Sequence, residues 1–173
     1  AFPLAVLAFW PFVARAWEAL PHTLLGMRNI YQQQYQMSRF LKTFYPGEPV
    51  AVNDVGLVSW TLEDVYVLDL FGLASRRVAE SKKAGTYGPA QMAALAREHG
   101  VLVVAAYPSW YTLFGGMPGE WVEVGTWTIP ENVVCAEDTV HWYAPNHTLA
   151  ARLRVSLSSF ALDMPKAVQV KLE

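Results

Sequence analysis

An α/β domain built on a mainly parallel sheet, with helices on both faces and an antiparallel β extension, is the fold class this sequence predicts. Three observations lead there. Val50–Val52 and Val65–Leu70 are short Val-rich runs, too brief for globular helices and suited to buried strands. Val101–Ala106 is apolar on both faces, as an inner strand of a sheet covered on both sides must be. Amphipathic helical stretches stand between and around these runs, giving the alternation of βαβ units.

In chain order, Ala1–Ala14 is almost wholly apolar. As a helix it would span about 21 Å, short of the ~30 Å hydrocarbon core of a bilayer. Pro3 and Pro11 weaken a continuous helix, and no positive n-region marks a secretory signal. Arg15, Trp17 and Glu18 follow, as where a chain leaves lipid. Residues 1–23 therefore read as an apolar juxtamembrane segment, the end of a transmembrane helix, with a helix packed on the domain as the other reading. A start at Ala1 rather than Met suggests a processed chain or a fragment. Residues 24–173 read as a single α/β domain, a size that one core accommodates.

Leu24–Tyr45 has the clearest helical period. Met27, Ile30, Tyr31, Met37, Leu41 and Phe44 form the expected core stripe, opposite Arg28, Gln32, Gln36, Arg39 and Thr43. Pro46-Gly47 ends it. Asn53-Asp54-Val55-Gly56 is the turn after the first strand, and Leu57–Thr61 a short crossover helix, which a parallel pair requires. Ser75 is placed to cap a helix to Ala84, and Pro89–His99 opens on proline and is followed by Gly100. Tyr107–Gly119 is an aromatic loop. Trp121–Ile129 alternates as a strand, with Val122, Val124, Thr126 and Thr128 on one face and Trp121, Glu123, Trp127 and Ile129 on the other. Thr139–Tyr143 pairs with it, Leu149–Phe160 is helical, and Val168–Leu172 is an edge strand or frayed tail.

Several function classes fall away. The net charge is -2 and no basic run exists, so the electrostatic footprint of nucleic-acid binding is missing. Cys135 is the only cysteine, which rules out an internal disulfide and a cysteine-rich metal site. The four histidines form no HxxxH or HExxH pair, and no metal ligand set is expected. No phosphate loop, dinucleotide fingerprint or nucleophile elbow occurs, and no cofactor is expected.

The candidate ligand-binding residues are Asp54, Asp69, Asn53, Trp110 and Tyr111. The two aspartates follow strand runs, and carboxyl ends of parallel strands are where open α/β sheets bind ligands. A shared shallow cleft is expected, with Gly56 and Gly72 letting backbone approach a ligand and the aromatic loop at its rim. The competing reading is that each aspartate caps its own turn. Trp110, Tyr111, Phe114 and Trp121 either stack on sugars, sit at a membrane interface or close the core.

The stretch Arg28–Tyr143 also resembles a known family. The matching features are Asn29-Ile30-Tyr31-Gln32-Gln33-Gln34-Tyr35, Val52-Asn53-Asp54-Val55-Gly56, Leu68-Asp69-Leu70-Phe71-Gly72-Leu73, Trp127-Thr128-Ile129-Pro130 and Asn132-Val133-Val134-Cys135. Their order is similar to that in the extracytoplasmic C-terminal domain of bacterial GT-C class membrane glycosyltransferases. That class is mannosyltransferase-like and takes sugars from polyprenyl-phosphate donors. The resemblance implies a non-catalytic domain on the periplasmic side, because the catalytic acidic residues of such enzymes lie in an absent membrane part. Its implied partners are its own membrane domain and a glycan or lipid-linked acceptor. The alternative is a self-sufficient soluble carbohydrate-binding protein or enzyme with its site at Asp54 and Asp69.

Overall fold

The computed structural model describes residues 2–173, and side chains from residue 9 onward. The chain runs α1 (Phe2–Ile30), a π-helical turn (Tyr31–Tyr35), α2 (Gln36–Phe44), β1 (Val50–Val52), α3 (Gly56–Thr61), β2 (Val67–Asp69), α4 (Arg76–Lys83) and α5 (Pro89–Glu98). It continues through β3 (Val103–Ala106), a 3₁₀ helix (Pro108–Phe114), β4 (Val122–Thr128), β5 (Thr139–Ala144), α6 (His147–Ala161) and β6 (Gln169–Leu172).

The fold is α/β. One six-stranded sheet has the order β2-β1-β3-β5-β4-β6. β1 pairs in parallel with β2 and β3, and β5, β4 and β6 extend the sheet antiparallel. β3 is an inner strand and its four residues are all buried, as its two-sided apolarity requires. Ser75 caps α4 by accepting the Val78 N–H, and Pro89 opens α5. The C-terminal tail settles as the edge strand β6.

α2, α3 and α6 cover one face of the sheet. Phe40 is fully buried at the centre of that core. Its ring lies 4.6 Å from Trp142, 5.4 Å from Trp127 and 5.5 Å from Phe160, tying α2 to β4, β5 and α6 through edge-to-face contacts. α4 and α5 cover the other face through Val78, Met92, Leu95 and Ala96, but only over the parallel half. On the antiparallel half that face carries Glu123, Thr126, Thr128, Thr139 and His141, all half-buried. Glu123 bonds His141 at 2.7 Å and Thr128 bonds Thr139 at 2.9 Å, pairs that suit a wet sheet face.

Three expectations change. First, the helix is continuous through Pro11 and Pro21. The 23/24 boundary therefore falls inside α1. Of the apolar Ala1–Ala14, Ala1 and the side chains of residues 1–8 lie outside the described residues; Phe9, Trp10, Phe12 and Val13 are exposed. Second, the core stripe of Leu24–Tyr45 breaks in two. Met37 and Leu41 are buried, but Met27, Ile30 and Tyr31 are exposed, while Asn29, Gln32, Gln33, Gln34 and Gln36 are buried. A π turn closes i→i+5 rather than i→i+4 bonds, so the stripes before and after it fall out of phase. Third, the strict alternation of Trp121–Ile129 fails at a bulge between Glu123 and Gly125. Val124, Trp127 and Ile129 thereby enter the same core, whereas Trp121 joins the opposite one.

Gly125 shows why the bulge carries a glycine. A Cβ there would stand 2.6 Å from the Lys171 carbonyl oxygen, a backbone atom of β6 that cannot swing away. Gly125→Ala is expected to cost about 1–3 kcal/mol through overpacking and to loosen β6. Chemical denaturation and amide exchange at Val170 and Lys171 measure this; unchanged stability and protection would contradict it.

Candidate functional site

β1 and β3 are parallel neighbours whose chains leave to opposite faces of the sheet, β1 into α3 and β3 into the 3₁₀ helix. Such a divergence leaves a crevice at the carboxyl edge, the usual ligand position in an open α/β sheet. Here the chain itself fills that crevice. Gln33 and Gln34 of the π turn reach down between the strand ends, both under 5% exposed.

Each amide NH2 is bound, whereas Gln34 Oε1 is buried without a partner. Gln34 Nε2 donates to Asp54 Oδ2 at 2.8 Å and to the Tyr107 hydroxyl at 3.0 Å. The Tyr107 hydroxyl donates to Gln33 Oε1 at 2.7 Å, and Gln33 Nε2 donates to the Glu137 carbonyl at 2.8 Å. Asn53 Oδ1 accepts the Tyr107 backbone N–H at 3.1 Å, bridging the ends of β1 and β3. One turn earlier, Asn29 donates to the Glu131 carbonyl and accepts the Val133 N–H. The polar face of the helix thus turns inward because the β4–β5 loop presents backbone groups that need partners.

Asp54 is half-buried. Burial raises its pKa, against the Gly56 N–H and the Gln34 amide, which favour the charged form. Tyr107 is held well above the usual phenol range, first by burial and then by the Asp54 charge. Cys135 is pushed up to about 11, mainly by burial, with Asp54 adding to it. A thiol so raised is protonated at neutral pH and is a poor nucleophile.

Asp69 has a different role. It is 4% exposed, and its two oxygens accept four backbone N–H groups, from Phe71, Gly72, Ala74 and Ser75. That is the turn-capping reading, with no lone pair directed to a ligand. Gly72, at φ +85°, follows from the same turn. A Cβ there would stand 3.0 Å from the Ala79 backbone nitrogen, so the close approach is to α4 rather than to a ligand. Lys82 pins the turn from above. Its Nζ donates to the Phe71 carbonyl at 2.7 Å and sits 3.4 Å over the Phe71 ring.

The expected cleft shared by Asp54 and Asp69 is therefore corrected. Val52 and Asp69 are register partners, so the strand ends do coincide. Asp54 is nonetheless drawn to the π turn and Asp69 to its own loop. Neither a cleft of about 870 Å³ nor a groove of about 950 Å³ among the described residues is lined by either aspartate. The aromatic loop closes the core. Tyr111 is fully buried, and Trp110 packs 4.4 Å from Phe71 and 5.5 Å from Tyr107. Among the described residues no group of three or more His, Cys, Asp or Glu side chains is placed to hold a metal ion. Sequence reasoning missed Gln34 as the partner of Asp54, and Gln33 and Tyr107 as the rest of its network. The available signal was a run of three glutamines in a helix that had to cover a sheet.

Two tests separate the aspartates. Asp69→Ala strands four N–H groups and is expected to cost on the order of 2–3 kcal/mol in chemical denaturation, with Asp69→Asn milder. A loss below about 0.5 kcal/mol would contradict the cap. For Asp54 the folded-state pKa lies above the unfolded one, so the folded chain binds the proton more tightly. Wild-type stability is then lost as pH rises through the window above 3.8. Asp54→Asn still accepts from Gln34 and carries no charge. It is expected to melt higher than wild type at pH 7, the gain shrinking toward pH 4. A gain that grows on acidification would refute this.

A domain family model, described as a domain of unknown function (DUF8728), matches residues 28–143. No curated protein and no solved structure matches the chain. The matched stretch runs from the last turn of α1 through β5. It holds the π turn, the parallel half of the sheet and the whole Gln33–Gln34–Asp54–Tyr107 network. With more than half of its length matched, the chain belongs to the DUF8728 family.

Proposed function

We propose that this chain is a non-catalytic extracytoplasmic domain of a membrane glycosyltransferase of the GT-C class. It meets the bilayer or its own membrane domain through α1, and it assists acceptor binding or supports the membrane domain from the periplasmic side. The observation that carries this reading is the surface of α1. From Phe9 to Met27 the helix exposes large apolar side chains along one broad face, opposite Arg15, Glu18 and His22, with Trp17 79%, Leu24 71% and Phe12 67% exposed. None of these residues belongs to either core cluster. Water does not favour such a helix unpartnered, and an apolar surface of this extent marks a partner or a membrane. Trp10 and Trp17 lie on this face, and tryptophan is enriched at membrane–water interfaces. No helix among the described residues is long and apolar enough to cross a membrane. The reading therefore has α1 seated against membrane helices or partway into lipid.

A groove of about 950 Å³ continues the apolar surface, between the lower half of α1 and the β4–β5 loop. His22, Met27, Tyr31, Tyr35, Val133 and Val134 line it. The motifs that resemble the glycosyltransferase domain supply the enzyme class, and the apolar helix supplies the attachment. The soluble alternative, with a carbohydrate site at Asp54 and Asp69, loses its support at Asp69, whose oxygens are taken by its own turn.

The expected outcome with vesicles of phosphatidylethanolamine and phosphatidylglycerol is that the full chain floats with them. Phe12→Glu together with Trp17→Glu abolishes flotation and leaves melting unchanged, because both side chains are exposed. The full chain alone transfers no sugar from a polyprenyl-phosphate donor. Turnover would overturn the non-catalytic reading. A wild-type chain that stays monomeric in buffer and ignores vesicles would overturn the attachment.

A further inference from the structure

We propose that the opposite, amino-terminal edge of the parallel strands holds a binding site for a neutral, sugar-sized saccharide. A cleft of about 870 Å³ opens there, within the size range of small-molecule sites. Four segments form it: the end of α5, the approach to β3, the entry to β4 and the turn from β5 into α6. The carboxyl edge, by contrast, is plugged by Gln33 and Gln34.

The lining combines two chemistries. Leu102 and Trp121 contribute apolar surface, with Trp121 otherwise 7% exposed against Tyr143. Arg97, Glu120, Asn146 and His147 contribute polar groups. Arg97 Nη1 bonds Glu120 Oε1, and both side chains are more than half exposed. The guanidinium keeps further N–H donors and the carboxylate a second acceptor oxygen. Asn146 caps α6 by accepting the Leu149 N–H at 3.0 Å through Oδ1, which leaves its two amide protons for a ligand.

Charge balance selects the ligand. The ion pair neutralises itself, so an anion meets Glu120 and a cation meets Arg97 at equal disadvantage. A neutral ligand with hydroxyls uses donors and acceptors together. The apolar floor, formed by half-buried Leu102, Val122 and Leu149 beside the edge of Trp121, suits the C–H face of a sugar ring. The choice of a glycan among hydroxylated ligands rests on the glycosyltransferase reading, whereas the cleft and its charge balance do not depend on it.

The test is titration of the full chain, followed by ¹H–¹⁵N correlation spectra, with α-methyl mannoside, N-acetylglucosamine and maltose in separate arms. Inorganic phosphate and spermidine serve as charged controls. The expected result is that at least one saccharide shifts the Asn146 side-chain amide, the His147 backbone amide and the Trp121 indole N–H. Arg97→Met should weaken that binding about tenfold by removing charge-assisted hydrogen bonds, without changing melting. His147→Ala is a second variant on an exposed position. Shifts with phosphate or spermidine alone, shifts elsewhere on the chain, or no shift with any saccharide would overturn the proposal. Because the readout is binding at one cleft, its failure leaves vesicle attachment and the absence of transfer untouched.

Discussion

Buried amides need hydrogen-bond partners, and the fold supplies them to both ends of the Gln33 amide and to the Gln34 NH2, while Gln34 Oε1 is left without one. Each side chain carries donors and acceptors that lose water on burial, at a cost of a few kcal/mol per unpaired group. Tyr107 at the end of β3, Asp54 after β1 and the Glu137 carbonyl of the β4–β5 loop provide the partners. One network thus fixes three elements that are distant in sequence. It also sets the phase of the helix above. The π turn rotates the glutamines inward while α2 keeps Met37, Phe40 and Leu41 on the core.

The same inward turn of the glutamines leaves Tyr31 and Tyr35 outside, stacked at 5.6 Å. They extend the apolar surface of α1 down onto the domain. The family match begins at Arg28, where the helix stops exposing a large apolar face and starts to bury polar groups. The two halves of one continuous helix therefore have different physical demands. The upper part needs an apolar partner, and the lower part needs backbone groups of a loop.

The two edges of the sheet have exchanged their usual states. The carboxyl edge is closed by side chains and by an aspartate wrapped in its own turn, with Lys82 clamped over Phe71 beside it. The amino edge is open, because α5 ends at Glu98, α6 begins at His147, and the segments between them leave space around Trp121. A groove beside the apolar face of α1 and a mixed cleft at the far edge give the domain two unlike surfaces.

Much of the fold was legible because it rests on local rules. Val-rich runs became strands, Ser75 and Pro89 began helices, and Val101–Ala106 was driven to the sheet interior by apolarity on both faces. The sequence by itself determined the α/β class and the strand positions. What only the tertiary structure decided was the destination of polar groups. Periodicity assigns a polar stripe to water, since it contains no term for a loop that offers its carbonyls. It also cannot see a bulge that moves Val124 and Trp127 onto one face, nor which partner an aspartate finds. Asp54 and Asp69 follow similar strand runs, yet one meets a glutamine from twenty residues upstream and the other meets four N–H groups of its own loop. That difference arises from non-local hydrogen bonding, which only the packed chain defines.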